Sequence, residues 1–318
     1  MNLQELSDKL NVSKATLSRV INNKPGVSEK KREEIKAFLA KNNLIKISDE
    51  NNIVIIIPDF ENPFFGEIIK EISKILREQG YQVTIYDTDE NIENEKIVTR
   101  NIIKNGAAGV IFCVSNGMES VKNVMALQNA EIPIVLFDRE LDFPLEGVFL
   151  NDFHAGFLAT ETLIKKGCKN IAVVPGSLEL KNIKNRFEGY QYALGQYNLS
   201  FNSNLVFQGD MKIESGTNAM ENIVNSKIDI DGILILNNFM TIGVLNYINN
   251  NDSSLYDKYK ILGFDIPDYL FKMTPKINII TRSRKEMGNL TANMILDKIQ
   301  ENKKEKYTKK IIIDPILY

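Results

Sequence analysis

The chain has 318 residues, 43% hydrophobic and 25% charged, with 39 basic and 41 acidic side chains and a net charge of −2. That balance is ordinary for a globular protein and excludes a uniformly basic nucleic-acid coat, though not a local basic module. At roughly 150 residues per domain, about two domains are expected.

Residues 1–46 read as three short helices. Leu3, Leu6 and Leu10 fall on one helical stripe, Leu17, Val20 and Ile21 on a second, and Ile35, Phe38 and Leu39 on a third. Three stripes can close a small core. Asn2, Ser13 and Ser28 stand at N-cap positions, where a side-chain oxygen satisfies free backbone N–H groups. Only Asn11 and Val12 separate the first two helices, whereas the Asn, Pro and Gly of 22–26 mark a longer loop.

After a polar connector, 47–52, the period changes. Continuous apolar runs appear at 53–57, 83–86, 110–114, 134–137, 148–150, 171–174, 233–236 and 261–262, with amphipathic stretches such as 64–79, 92–105, 154–166 and 186–197 between them. Strands without alternation, separated by helices, predict buried parallel sheets in βα units. The length of 53–318 is too great for one sheet. The expected fold is therefore a small all-α domain (1–46) followed by an α/β domain. The latter would be two doubly wound parallel-sheet lobes facing a ligand cleft at the carboxyl ends of the strands. The boundaries expected are 53–151 with 277–307 for the first lobe, and 152–276 with 308–318 for the second.

A single histidine, His154, excludes an HExxH helix or a multi-histidine metal site. Two distant cysteines, Cys113 and Cys168, form neither a disulfide framework nor a zinc site and read as buried and inert. No metal and no cofactor is expected, since GxGxxG after a strand, GxxxxGK[ST], GxSxG and EF-hand motifs are all absent. No apolar run reaches the ~18 residues of a membrane span, and the first residues lack a signal-peptide layout. A cytoplasmic location without membrane contact is expected.

Charge concentrates at the N-terminus: residues 1–48 hold eight lysines and two arginines against five acids, a net +5, which leaves −7 for the rest. A basic helical module on an acidic globule points to nucleic acid for the small part alone, the alternative being a helical cap with solvated charges. The run Val12, Ser13, Lys14, Ala15, Thr16, Leu17, Ser18, Arg19, Val20, Ile21, Asn22, followed by Val27, Ser28 and Glu29, resembles the helix-turn-helix of the lac/galactose repressor family. That resemblance puts the second helix in the major groove of an operator duplex. It implies base contacts from Lys14, Ala15 and Arg19, with the arginine suited to a guanine, and phosphate contacts from Ser13, Thr16, Ser18 and Asn22.

Further matches follow in the family's order: Glu61 to Phe65, Phe137 to Arg139, Asn151 to Gly156, Gly167 to Ile171, Arg186 to Tyr190, Asn237 with Asn238, and Gly263 to Asp265. The resemblance implies that Phe64, Asp138, Arg139, Arg186, Asn237 and Asp265 line the cleft. Carboxylates, a forked guanidinium, an amide and an aromatic face together suit a polyol, so the implied effector is a sugar or sugar phosphate. Plainer alternatives stand beside each. Phe64 could cap a helix start in the core, Asp138 and Arg139 could pair with each other at the surface, Arg186 and Asp265 could clamp the lobes, and Asn237 could be a turn residue.

Three departures from the family are visible. The hinge pattern Tyr-x-Pro-Asn-x-x-Ala-x-x-Leu is missing, and 47–52 is a shortened linker without a recognisable hinge helix. Asn238 stands where an aspartate is usual, and Arg282 with Ser283 where Gln-Pro is usual. His154 beside Asp152 has no nucleophile placed with it, so no enzyme activity is expected. The implied protein is a homodimeric DNA-binding transcriptional regulator, a repressor, controlled by a small effector. The rivals are a regulator gated by a protein partner, a sensor with weakened DNA binding, a sugar-transport receptor, and a carbohydrate enzyme.

Overall fold

A computed structural model of the protein describes residues 3–21, 25–41, 51–273, 277–300 and 308–318. The N-terminal segment contains α1 (Leu3–Leu10), α2 (Lys14–Ile21) and α3 (Glu29–Lys41). Leu6, Leu10, Leu17, Val20, Ile35 and Leu39 form their common core, as the stripes require. The turn between α1 and α2 is closed from both sides. The Val12 N–H donates to the Ser7 carbonyl at 3.1 Å, and the Ser7 hydroxyl donates to the Val12 carbonyl at 2.5 Å. Asn11 supplies the left-handed residue that so short a turn needs, with φ of 49°.

From Asn52 the chain alternates strand and helix. The first lobe runs through β1 (Asn52–Ile57), α4 (Pro63–Glu78), β2 (Gln82–Asp87), α5 (Ile92–Asn105), β3 (Gly109–Phe112), α6 (Gly117–Asn129), β4 (Ile134–Phe137) and β5 (Gly147–Leu150). The second contains α7 (Asp152–Lys165), β6 (Ile171–Val174), α8 (Lys181–Gln196), α9 (Ile213–Asn225), β7 (Gly232–Ile235), α10 (Asn238–Asn251), α11 (Leu255–Lys258), β8 (Lys260–Phe264), α12 (Asp268–Met273) and β9 (Asn278–Thr281). The chain closes with α13 (Arg284–Gln300), β10 (Lys310–Ile313) and β11 (Ile316–Leu317).

The sheets are ordered β10-β5-β4-β3-β1-β2 and β11-β9-β8-β7-β6. Their pairings are parallel except β11 with β9. The unbroken apolar runs follow from burial on both faces. In β1, Ile53, Ile55 and Ile57 enter one core while Val54 and Ile56 enter another on the opposite face.

The C-terminal boundaries differ from expectation. The segment 278–281, expected in the first lobe, is β9, whose Ile279 and Ile280 complete the apolar faces of the second sheet beside β8. The chain crosses only after Thr281: α13 packs on α4, and β10 joins β5 in the first sheet. Among the described residues after Thr281, β11 is the strand that returns to the second sheet. The crossing at 282–283 therefore sits on the axis between the lobes.

Candidate functional site

In the reading head, burial separates structural from solvent-facing positions on α2. Leu17 and Val20 are 0% and 2% exposed, whereas Ser13, Lys14, Ala15, Ser18 and Arg19 are exposed and Thr16 is half-buried. Ser13 caps the helix: its Oγ accepts from the Thr16 N–H at 3.0 Å and lies 2.8 Å from the Thr16 hydroxyl. Arg19 lies over the following loop, where a side chain on Gly26 would meet its guanidinium at 3.6 Å. Asn22 and the linker from 42 to 50 lie outside the described residues.

The cleft is built from loops at the carboxyl ends of strands. Asparagines begin the helices there. Asn62 caps α4, accepting from the Phe64 N–H at 3.1 Å, and Asn237 caps α10, accepting from the Met240 N–H at 3.0 Å. Asp138 after β4 and Asp265 after β8 both adopt left-handed backbone, φ 63° and 48°. Aspartate tolerates that region better than most side chains, and in both loops it leaves the carboxylate buried at the lobe junction.

Between them stands Arg282, on the crossing after β9. One terminal nitrogen donates to Asp138 of the first lobe and the other to Asp265 of the second, a buried two-carboxylate bridge. Its guanidinium also lies over the Phe64 ring, 4.7 Å from the centroid. A direct amide bridge runs alongside: Asn238 Nδ2 donates to Asn62 Oδ1 at 2.7 Å across the lobes.

Arg186 donates through Nε to Asp152 at 2.7 Å and through a terminal nitrogen to the Leu236 carbonyl at 2.7 Å, with the Phe264 ring 4.5 Å away. Arg139 forks onto Glu90 and donates to the Val114 and Ser115 carbonyls at 2.9 and 3.2 Å. The Ser115 backbone is itself fixed by buried Glu95, which accepts its N–H at 2.8 Å.

The six residues expected to line the cleft thus converge, all buried. Asp138 and Arg139 are not a surface pair, since both are buried and each has a different partner, Arg282 for Asp138 and the exposed Glu90 for Arg139. Asn237 is a helix cap, not the turn residue of its plainer alternative, and it also lines the cleft. Asn62, Asn182, Asn238 and Arg282 line the same space and were not among the expected set. For Arg282 the signal was present, since it replaces a Gln in the family's pattern, but the misplaced boundary hid its position.

Burial and charge pull against each other here. Burial raises the Asp152 carboxyl to about 6 despite Arg186 and Arg282. For Asp265 the same penalty is outweighed by Arg282 and Arg186, and its pKa falls below the usual value. Burial works against charge on Arg282 and Arg139, but their carboxylate partners win and hold both above the usual arginine value. Burial raises both thiols, Cys113 well above its usual value and Cys168 to about 11, so neither is a ready nucleophile. His154 is half-exposed, its Nδ1 4.0 Å from Asp314 Oδ1.

The space within the cleft has two parts. An inner void of about 30 Å³ remains among the buried polar residues. An outer cavity of about 840 Å³ opens between the lobes, and Met211 lines both. Asp59, Glu61, Asp87, Asp89 and Glu90 come to its wall from the first lobe, and Glu179, Asp210 and Lys212 from the second. Among the described residues no helix is long and apolar enough to cross a membrane, and no cluster of ligating side chains could hold a metal ion.

Comparison with known proteins agrees with this division. Residues 2–45 match the family of bacterial regulatory proteins of the lacI type, and residues 50–318 match periplasmic binding proteins and the sugar binding domain of the LacI family. The HTH-type transcriptional regulator MalR of Streptococcus pneumoniae is 25% identical, the alignment covering 96% of this chain and 95% of MalR. The HTH-type transcriptional repressor PurR of Aliivibrio salmonicida is 22% identical, with 96% and 94% covered. Among solved structures, a complex of the transcriptional regulator CelR with cellobiose shares the fold with a TM-score of 0.76 at 20% identity. It covers 100% of this chain and 98% of that one.

Proposed function

The chain belongs to the LacI family of bacterial regulatory proteins, DNA-binding transcriptional regulators rather than enzymes, and on that premise we propose that it is a dimeric repressor released from its operator by a hydroxylated effector in the inter-lobe cleft. The observation that carries the reading is the bridge of Arg282 to Asp138 and Asp265, one carboxylate from each lobe. A ligand that engages this cluster interacts differently with a closed and an open cleft, and such a difference is what linkage demands of an effector.

At the other end, α2 offers Lys14, Ala15 and Arg19 to base edges, while Ser13, Thr16, Ser18 and Asn22 hold phosphates. Two heads in a C2 dimer match a near-palindromic operator. MalR and PurR are named as transcriptional regulators, PurR as a repressor, and CelR was solved with cellobiose; these support the assignment of class and effector chemistry.

The test is enrichment of genomic fragments by the purified full-length chain, repeated with pooled sugars. A short palindrome retained without sugar and released by one of them supports the proposal. A soluble dimer that selects no site refutes the operator-binding part.

A further inference from the structure

Side chains of the protein itself tie the two lobes together at separate points. At the centre, Arg282 gives one terminal nitrogen to Asp138 of the first lobe and the other to Asp265 of the second, over the Phe64 ring. Asn238 Nδ2 reaches Asn62 Oδ1 at 2.7 Å. Arg284, at the start of α13, donates across to the Ile266 carbonyl at 3.1 Å and lies 3.4 Å from Asp268. Lys181, at the start of α8, reaches back to Asp142 at 2.6 Å and Glu140 at 3.3 Å.

The lobes also meet through backbone at the edge of the outer cavity. Gly117 opens α6 in the first lobe, and a Cβ there would stand 3.1 Å from the Glu179 carbonyl oxygen of the second. That is tighter than ordinary van der Waals contact, so bulk at 117 pushes the lobes apart.

The central contact has the form of a bound ligand. A hinged cleft closes when one group interacts with both lobes at once, and the Arg282 guanidinium does so with its side chain 2% exposed. One acceptor is already set for it: Asp265 Oδ1 accepts from the Thr281 hydroxyl at 2.9 Å, which leaves Oδ2 to the arginine. Being tethered, the guanidinium acts at an effective concentration of the order of mM, and closure needs no free molecule. With these contacts made, the inner void is about 30 Å³, room for one water, whereas small-molecule pockets run to ~300 Å³ or more. A sugar ring reaches that compartment only when the lobes separate.

We infer that Arg282 is a built-in ligand which, with Lys181 and Arg284 as outer latches, holds the two lobes shut when no effector is bound. The inference goes beyond the repressor reading and does not depend on it.

The test measures the inter-lobe distance by pulsed electron spin resonance in the full-length chain, with no small molecule added. Spin labels go on Lys122→Cys of α6 and Lys184→Cys of α8, exposed positions in opposite lobes, while Cys113 and Cys168 are buried. Diluting labelled into unlabelled chain isolates distances within one chain. A narrow distribution at the separation in this structure is expected. Arg282→Ala should lengthen it by more than ~2 Å. Millimolar methylguanidinium, which replaces the lost group between the two carboxylates, should restore the short distance, and neutral methylurea should not. Gly117→Val should lengthen the distance and Lys181→Ala broaden it, neither responding to the ion. These two variants and the wild-type distance decide the matter if Arg282→Ala fails to fold. A wild-type distribution centred on a longer separation, or an Arg282→Ala variant that keeps the short one, overturns the inference and leaves operator binding untouched.

Discussion

Replacing Arg282 by Gln isolates the central bridge. The guanidinium is 2% exposed as a side chain and holds Asp138 and Asp265 together. The shorter, neutral amide can donate to one carboxylate but offers neither any charge. Two buried carboxylates facing each other cannot both remain ionised, so one takes up a proton. Protonating an ordinary aspartate at pH 7, about three units above its usual pKa near 3.9, costs ~4 kcal/mol. The same figure falls within the ~3–5 kcal/mol observed when one partner of a buried ion pair is removed. For a domain of this size it corresponds to a fall in Tm of roughly 8–15 °C. The penalty is itself pH-dependent. At pH 5 protonation is cheaper by ~2.7 kcal/mol, so the variant should approach wild type as the buffer is acidified. Circular dichroism melts at pH 7 and pH 5 measure both quantities. A loss below ~1 kcal/mol at pH 7, or one that does not shrink at pH 5, would show that the bridge does not hold the lobes.

The remaining expectations concern charge, packing, sequence reading and DNA shape. Asp152 binds its proton more tightly folded, at about 6, than unfolded, at 3.8. Stability should therefore be greatest below that window and fall as pH rises through it, by at most ~1.4 kcal/mol per pH unit. Urea titrations across pH 4–6 should show this slope flattened in Asp152→Asn, and an unchanged slope would refute it. Asp265, with its lowered pKa, acts in the opposite sense and only below the same window. A Cβ on Gly156 would stand 1.9 Å from the Arg186 carbonyl, so Gly156→Ala should separate α7 from α8, lose ~2 kcal/mol or more and weaken effector binding. Gly66→Ala, in open space on α4, should instead stabilise by ~0.5–1 kcal/mol in the same denaturation assay. Arg19→Ala should cost ~1–3 kcal/mol of specific operator affinity while leaving nonspecific binding nearly intact, as read by fluorescence anisotropy. The connector 47–52 lacks the family's leucine wedge, and a wedge is what kinks a minor groove. Circular-permutation gel shifts should accordingly reveal no strong central bend.

The architecture was legible because the hydrophobic pattern is determined locally. The run 53–57 is apolar at every position, and only burial on both faces of a parallel sheet sustains that. The change from helical stripes to such runs coincides with the change from α3 to β1 in the element order. The C-terminal crossings were harder. Ile279 and Ile280 fit either sheet by composition, and what selects the second is their register beside Gly263 and Phe264 of β8. Register is a property of the pair of strands, and one strand's sequence does not contain it.

That single ambiguity also concealed the centre of the cleft. With 277–307 assigned wholly to the first lobe, Arg282 had no reason to face Asp265, whereas a crossing after Thr281 obliges it to lie between the lobes. The buried partners of Asp138 and Asp265 are 144 and 17 residues away in the chain, separations at which spacing carries no information about contact. Residue chemistry named the carboxylates, since paired acids in the family's positions suit hydroxyl groups. It did not reveal that this chain supplies its own cation to them. The substitution of Gln by Arg thus has a physical reading. The polar subsite carries an internal counter-charge, with Arg282 engaged at once by Asp138 and Asp265.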